Sequence, residues 1–192
     1  MRKLMIVAGL MIVSTGVYAS EVAVRGGMSF AGDEKYTANG VTINGTASSG
    51  FSLGAEFVDS IGQNTNMGFG FEYLLDRTED TLAGVSVSSY NSKFSFMPIY
   101  GTLQYCFPSS KVLARANVGY NGRFTGNDMF AGTASLTGGL YWALGLGTDV
   151  SDVVKLELMY SSYKGVAKLS NISIDFSYTP ITLVLSYRFK TK

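Results

Sequence analysis

The chain has 192 residues, with 15 Lys and Arg against 14 Asp and Glu, no His and one Cys. Charged residues make up 15% of it, well under the roughly 25% of ordinary soluble domains, while aromatics reach 13% and there are 23 Gly. A near-neutral balance without a basic run excludes nucleic-acid binding. A single Cys excludes an intrachain disulfide, and the lack of His removes the commonest ligand of zinc and other transition metals.

Met1-Arg2-Lys3 precedes an apolar run from Leu4 to Val13, and small residues follow at Val17 and Ala19. That order reads as a cleavable signal peptide over 1–19. Residues 20–192 then form one domain with 13 basic and 14 acidic residues, a net charge of −1. The apolar run is too short to span a bilayer as a helix, and no later stretch approaches about 18 apolar residues. Any membrane spanning must therefore be done by a closed barrel of strands.

Eight segments after the signal alternate with period two, the pattern of strands with two unlike faces. Glu21 to Phe30 sets Val22, Val24, Met28 and Phe30 against Arg25 and Ser29. Gly50 to Val58 sets Phe51, Leu53 and Phe57 against Ser52 and Glu56, and Asn66 to Leu75 sets Met67, Phe69, Phe71 and Tyr73 against Gly70 and Glu72. Lys93 to Cys106 switches parity at Met97-Pro98, which predicts a bulge, the usual home of proline inside a sheet. Val112 to Asn121, Gly139 to Asp149 and Val153 to Tyr163 repeat the pattern, with Arg115, Lys155 and Glu157 on the polar side. The last strand, Ile181 to Phe189, sets Leu183, Leu185, Tyr187 and Phe189 against Thr182, Val184, Ser186 and Arg188.

Connections 31–49, 76–92, 122–138 and 164–179 are long and rich in Gly, Ser, Thr, Asn and Asp, whereas 59–65, 107–111 and 150–152 are short. Alternation of long and short predicts an up-and-down barrel with four long loops on one side of a membrane. Within 76–92, Asp76-Arg77-Thr78-Glu79-Asp80 reads as a solvated charge run, since it lacks the spacing of a calcium loop.

Aromatics gather at strand ends around an aliphatic middle, as in the interfacial belts of membrane barrels. Phe30, Phe51, Tyr73, Phe94, Phe96, Tyr120, Tyr141, Trp142, Tyr160 and Tyr163 lie toward the long connections; Phe57, Phe69, Tyr105, Phe107, Tyr187 and Phe189 lie toward the short ones. Opposite the apolar faces stand Arg25, Glu56, Glu72, Arg115, Lys155, Glu157 and Arg188. In an eight-stranded barrel, whose interior side chains just fill, these charges predict a mutually neutralising plug; a narrow gated ion path is the alternative. Cys106 shares parity with Gln104 and is expected to face inward as a small filler.

The run Met97 to Phe107, the pair Gly145 to Val150 and Lys155 to Tyr160, and the closing strand together resemble the small eight-stranded outer-membrane β-barrels: the OmpX-like and opacity-protein group and the membrane domain of OmpA. The closing strand resembles the signal read by the barrel-assembly machinery through Thr182, Tyr187 and Phe189; Val184 replaces its usual Gly, and Lys190-Thr191-Lys192 extend past the terminal aromatic. The resemblance implies an all-β, eight-stranded antiparallel transmembrane barrel of the bacterial outer membrane, in contact with its lipid. It implies no cofactor. Barrel enzymes of this group and the larger outer-membrane proteases use a catalytic His, so no catalytic site is expected. The expected role is structural or adhesin-like, through the exterior loops and an unknown surface ligand. An outer-membrane channel and a soluble, lipocalin-like ligand carrier are the rival readings. The carrier would place Leu183 inside and Arg188 outside.

Overall fold

The computed structural model describes residues 21–87, 92–126, 134–169 and 172–190, all within one antiparallel β architecture. The expected signal peptide lies outside the described residues. The strands are β1 (Glu21–Ser29), β2 (Gly32–Ala38), β3 (Val41–Ala47), β4 (Gly50–Ser60), β5 (Thr65–Leu82) and the short β6 (Val85–Ser86). They continue as β7 (Lys93–Cys106), β8 (Val112–Thr125), β9 (Ser135–Asp149), β10 (Val154–Leu169), β11 (Ile172–Thr179) and β12 (Ile181–Lys190).

The pairings resolve into two stacked tiers. In the lower tier β1, β4, β5, β7, β8, β9, β10 and β12 pair in that order, and β1 with β12 closes the ring. In the upper tier β10–β11, β11–β2, β2–β3 and β3–β5 take over. Breaks at residues 30–31, 48–49 and Pro180 let β1 pass into β2, β3 into β4 and β11 into β12. The β7–β8 register shifts at Met97/Pro98, but the extra residue is Gly122 of β8, and β7 keeps one inward parity from Phe94 to Gln104, which corrects the parity switch expected there.

The lower tier is inside-out relative to a soluble protein. Leu183 is 39% exposed and Val118 64%, whereas Glu157 is 1% and Arg188 8% exposed. A soluble carrier would need the opposite orientation, so the lipocalin-like reading falls. Above Phe30, Tyr120, Tyr160 and Ile181, all exposed and apolar, charged and polar residues enter the outer face: Asp33, Lys35, Asn44, Asp76, Lys164, Lys168 and Asp175 are exposed, with Val41, Ile43, Val85 and Ile172 exposed near the hairpin ends. Burying polar backbone in lipid requires closed pairing, and leaving such side chains there is costly. The membrane-spanning band therefore ends at that level, and β2, β3 and β11 stand beyond it.

This corrects the expectation of four long loops. Residues 32–38, 41–47, 76–82, 122–125, 135–138, 164–169 and 172–179 are strand; residues 88–91, 127–133 and 170–171 lie outside the described part. Polar composition here marks strands with water outside, not irregular chain. Asn39 and Gly40 have φ of 49° and 79°, Ala83 and Gly84 51° and 79°. Two successive positive φ values make the two-residue type I′ turn that suits the twist of a hairpin.

Candidate functional site: the barrel lumen

Strand alternation aims four charges from four strands at one level of the interior. Arg25 (β1) meets Glu56 (β4) at 2.7 Å and Glu157 (β10) at 2.9 Å. Arg115 (β8) meets Glu157 at 3.1 Å and also contacts Glu56. Two cations and two anions thus alternate around a ring, each 5% exposed or less. Taking such charges out of water costs several kcal/mol per ion. Here each finds two opposite partners.

Neutral groups take up further donors and acceptors. Gln104 Nε2 donates to Glu56 Oε1 at 3.1 Å, and Lys155 Nζ donates to Gln104 Oε1 at 3.0 Å. Arg25 Nη1 donates to the Tyr100 hydroxyl at 3.2 Å, which donates to Glu56 Oε2 at 3.3 Å, and Arg115 Nε donates to Asn117 Oδ1 at 2.9 Å. Gly70 makes room: a Cβ there would lie 2.9 Å from the Tyr100 ring and hydroxyl.

Of the seven charges placed inside from the sequence, Arg25, Glu56, Arg115 and Glu157 form this ring and Lys155 joins through Gln104. Arg188 lies in a lower cluster, 3.0 Å from Asp149 and 3.6 Å from Glu21, with Lys155 3.9 Å from Glu21. Glu72 stands above the ring, accepting from the Tyr163 hydroxyl at 3.3 Å. Sequence reasoning left out Tyr100, Gln104, Asn117 and Asp149. Each shares the inward parity of its strand, but uncharged polar residues do not announce themselves as partners. Cys106 is partly buried, with Asn66 Nδ2 3.8 Å from its sulfur.

The aromatics divide between two faces. Phe30, Phe51, Phe57, Phe69, Tyr105, Tyr120, Tyr160, Tyr187 and Phe189 are exposed on the outer face, and Tyr73 and Trp142 are half-buried. Phe94, Phe96, Tyr141 and Tyr163, which lie toward the long connections in the sequence, are at most 1% exposed and point inward. Phe94 and Phe96 keep the inward parity of Tyr100 and Gln104 along β7; the bulge opposite Met97/Pro98 inserts Gly122 into β8 and turns Phe124 inward beside them.

These rings form a column above the charge ring. Tyr100 meets Tyr141 at 5.5 Å between centroids, Tyr141 meets Tyr163 at 5.1 Å, and Tyr163 meets Phe96 at 5.6 Å. Phe96 stacks on Phe124 at 4.7 Å, and Phe124 on Phe176 at 5.3 Å. Tyr36 reaches Phe176 at 4.9 Å from the upper end. Between Arg25, Glu72, Tyr100, Tyr141 and Val184 the remaining spaces have no room for a water-sized sphere.

At the outer mouth the Tyr36 hydroxyl donates toward Glu34 Oε2 at 3.3 Å and contacts Glu79. Burial, with Glu79 close by, pushes the Glu34 carboxyl up to about 8; burial and the two carboxylates push the Tyr36 phenol up as well. The supposed solvated run is part of this wall. Arg77 is fully buried, donating to Phe51 O at 2.9 Å and Leu75 O at 2.6 Å, and Glu79 is 7% exposed. The bulge in β5 between Leu74 and Arg77 swaps the inward parity of the strand, so Arg77 and Glu79 turn inward while Asp76 faces water.

No protein-family model matches the chain, and no curated protein matches its sequence. Among solved structures, the outer membrane protein OprG from Pseudomonas aeruginosa superposes with a TM-score of 0.51 at 15% identity, covering 90% of this chain and 97% of that one. Neisserial surface protein A gives 0.49 at 11% identity, covering 88% and 97%. Ail, the attachment invasion locus protein of Yersinia pestis, gives 0.44 at 12%, covering 88% and 99%. At such identities the likeness is one of fold. The chain has the fold of the small transmembrane β-barrels of outer membranes, in its eight-stranded form.

Proposed function

We propose that this chain is a non-enzymatic β-barrel of the bacterial outer membrane, with a closed lumen, that works as a structural or surface-interaction protein through its outer tier. The observation that carries this reading is the neutral ring Arg25–Glu56–Arg115–Glu157 beneath a continuous aromatic column. An ion path needs mobile water or unpaired charge along the axis. The ring pairs its charges, and the column offers stacked rings. The absence of His from the whole chain supports the non-enzymatic part, because the proton-transfer group most used near neutral pH is missing. Lipid contact follows from the apolar band, and delivery by the barrel-assembly machinery from the closing strand.

Planar-bilayer recording tests the reading. The intact barrel is expected to give no steady current, and porin-like steady conductance would favour the channel reading instead. An electrophoretic shift between unheated and boiled samples of detergent-extracted outer membrane tests the location.

A further inference from the structure

The outward charges of the upper tier are unevenly distributed. Beyond the aromatic level, the described residues of β7 to β10 carry exposed Lys93, Arg123, Lys164 and Lys168 and no acid. The acids Asp33, Asp76 and Asp80 stand on β2 and β5, and one exposed acid, Asp175, stands on β11. Lys35 on β2 adjoins the basic side, because Ser177 of β11 pairs with Lys164 on one flank and with Lys35 on the other. With strands about 4.8 Å apart, the two lysine backbones lie about 10 Å from each other, a span that two flexible side chains close around one phosphate. Neither ammonium has a hydrogen-bond or ion-pair partner among the described residues.

Between the two lysines lies a depression of about 500 Å³, bordered also by Leu140, Gly165, Asp175 and Ser177. Its height decides what it faces. Leu140 is 49% exposed on the membrane-facing side, and Tyr120 beside it donates to Gly138 O at 2.6 Å. Cations thus rim a hollow whose lower border is apolar, at the level where the wall passes from lipid to water. Asp175 lies two residues further along β11 than Ser177, away from the membrane, so a group approaching from the lipid meets the lysines first.

We propose that Lys35 and Lys164, with Ser177 between them, bind the phosphate of an anionic lipid headgroup in the leaflet around the upper girdle. The inference rests on the membrane-spanning reading. Charge attraction holds the headgroup phosphate and Leu140 receives the start of its acyl chain, while Lys168, Arg123 and Lys93 raise the local positive potential.

The test uses the full barrel in phosphatidylcholine vesicles, with spin-labelled phosphatidic acid or spin-labelled phosphatidylcholine as probe. The protein is expected to favour phosphatidic acid by about fivefold per lysine, the usual effect of one cation at an anionic membrane surface, and less as salt rises. The Lys35→Gln/Lys164→Gln variant should lose most of this preference, and Lys111→Gln, on the short-turn side, should keep it. Asp175→Asn should increase it, which gives a second readout if the double variant folds poorly. Equal preference in the intact protein and the double variant overturns the proposal. So does loss of the preference to inorganic phosphate at constant ionic strength, which would mark a site for free anions. Failure of the intact barrel to insert would count against the membrane reading itself, whereas insertion without preference would sink only the headgroup site.

Discussion

Arg25 and Glu56, on the paired strands β1 and β4, form an ion pair of 2.7 Å in the middle of the barrel, with almost no exposure to water. Glu56 also faces Arg115, so Glu56→Gln removes one carboxylate from two guanidinium groups. Breaking a buried pair from one side costs about 3–5 kcal/mol, because the remaining charge is stranded. Urea unfolding of the barrel in vesicles should show a loss of that order. The Arg25→Gln/Glu56→Gln variant should lose less than the two single changes together. A cost of about 0–1 kcal/mol, as for exposed pairs, would mean that water reaches the ring.

At the outer mouth Glu34 is the group to titrate. Its folded-state pKa is raised from 4.5 to about 8 by burial and by Glu79, with Asp80 adding a smaller push and Tyr36 opposing. The unfolded chain gives up this proton near 4.5, and the folded chain holds it to about 8. Stability from this site is therefore complete below the lower value, falls as pH rises between the two, and is lost above the upper one. The protection factors of the β2 and β3 amides, in which the intrinsic rise of exchange with pH cancels, should fall over that window. In Glu34→Gln this fall should largely disappear; if the protection factors of this variant still follow pH as in the intact protein, Glu34 is not the group responsible.

The lipid-facing band gives a depth-dependent prediction. Leu185, 55% exposed, stands midway between Ile181 and Phe189 at the two rims. Leu185→Arg should cost roughly 2–4 kcal/mol and Ile181→Arg roughly 0–1 kcal/mol. Equal costs by equilibrium unfolding in bilayers would contradict the assigned membrane level.

The turn at Ala83-Gly84 carries an avoidable strain. Ala83 holds a φ of 51°, whereas Asn39, at the matching place in the other tight turn, is a residue that tolerates it. A left-handed backbone costs an ordinary residue about 1–2 kcal/mol. Ala83→Gly is expected to recover roughly 1 kcal/mol of this, after the entropy cost of glycine. Slower exchange of the Leu82 and Val85 amides would report it; faster exchange would speak against the type I′ assignment.

The lower tier was legible in the sequence because lipid imposes one rule on every strand. Leu158 must face out and Glu157 in, so parity alone assigns both. The upper tier obeys a different rule: water lies outside and aromatics lie inside. Glu34, Tyr36, Phe124, Phe176 and Tyr178 alternate as regularly as the membrane residues, but their partners on the outer face are Thr, Ser, Lys and Asp, whose composition suggests irregular chain. Phe94 and Phe96 share the inward parity of Tyr100 and Gln104; a bulge in β7, expected from their parity against Ile99 and Leu103, would put them on the outer face, whereas β7 runs unbroken and its upper aromatics fill the interior. The ring itself was half visible. Charges facing a closed interior must pair, but which strands bring them to one height depends on stagger around the barrel, and that is set by Gly54 opposite Arg25 and by Arg115 opposite Gly145.

The second tier, paired from β10 through β11, β2 and β3 to β5 and turned tightly at Asn39-Gly40 and Ala83-Gly84, also changes what a passing molecule would meet. A floppy loop must surrender its freedom when it is gripped, and that ordering weakens the grip. The β2–β3 hairpin, paired on both flanks, has little freedom left to give up. Contact there would respond sharply to single side-chain changes at the tips, and an antibody raised against the native rim would read neighbouring strands jointly and fail on the boiled chain.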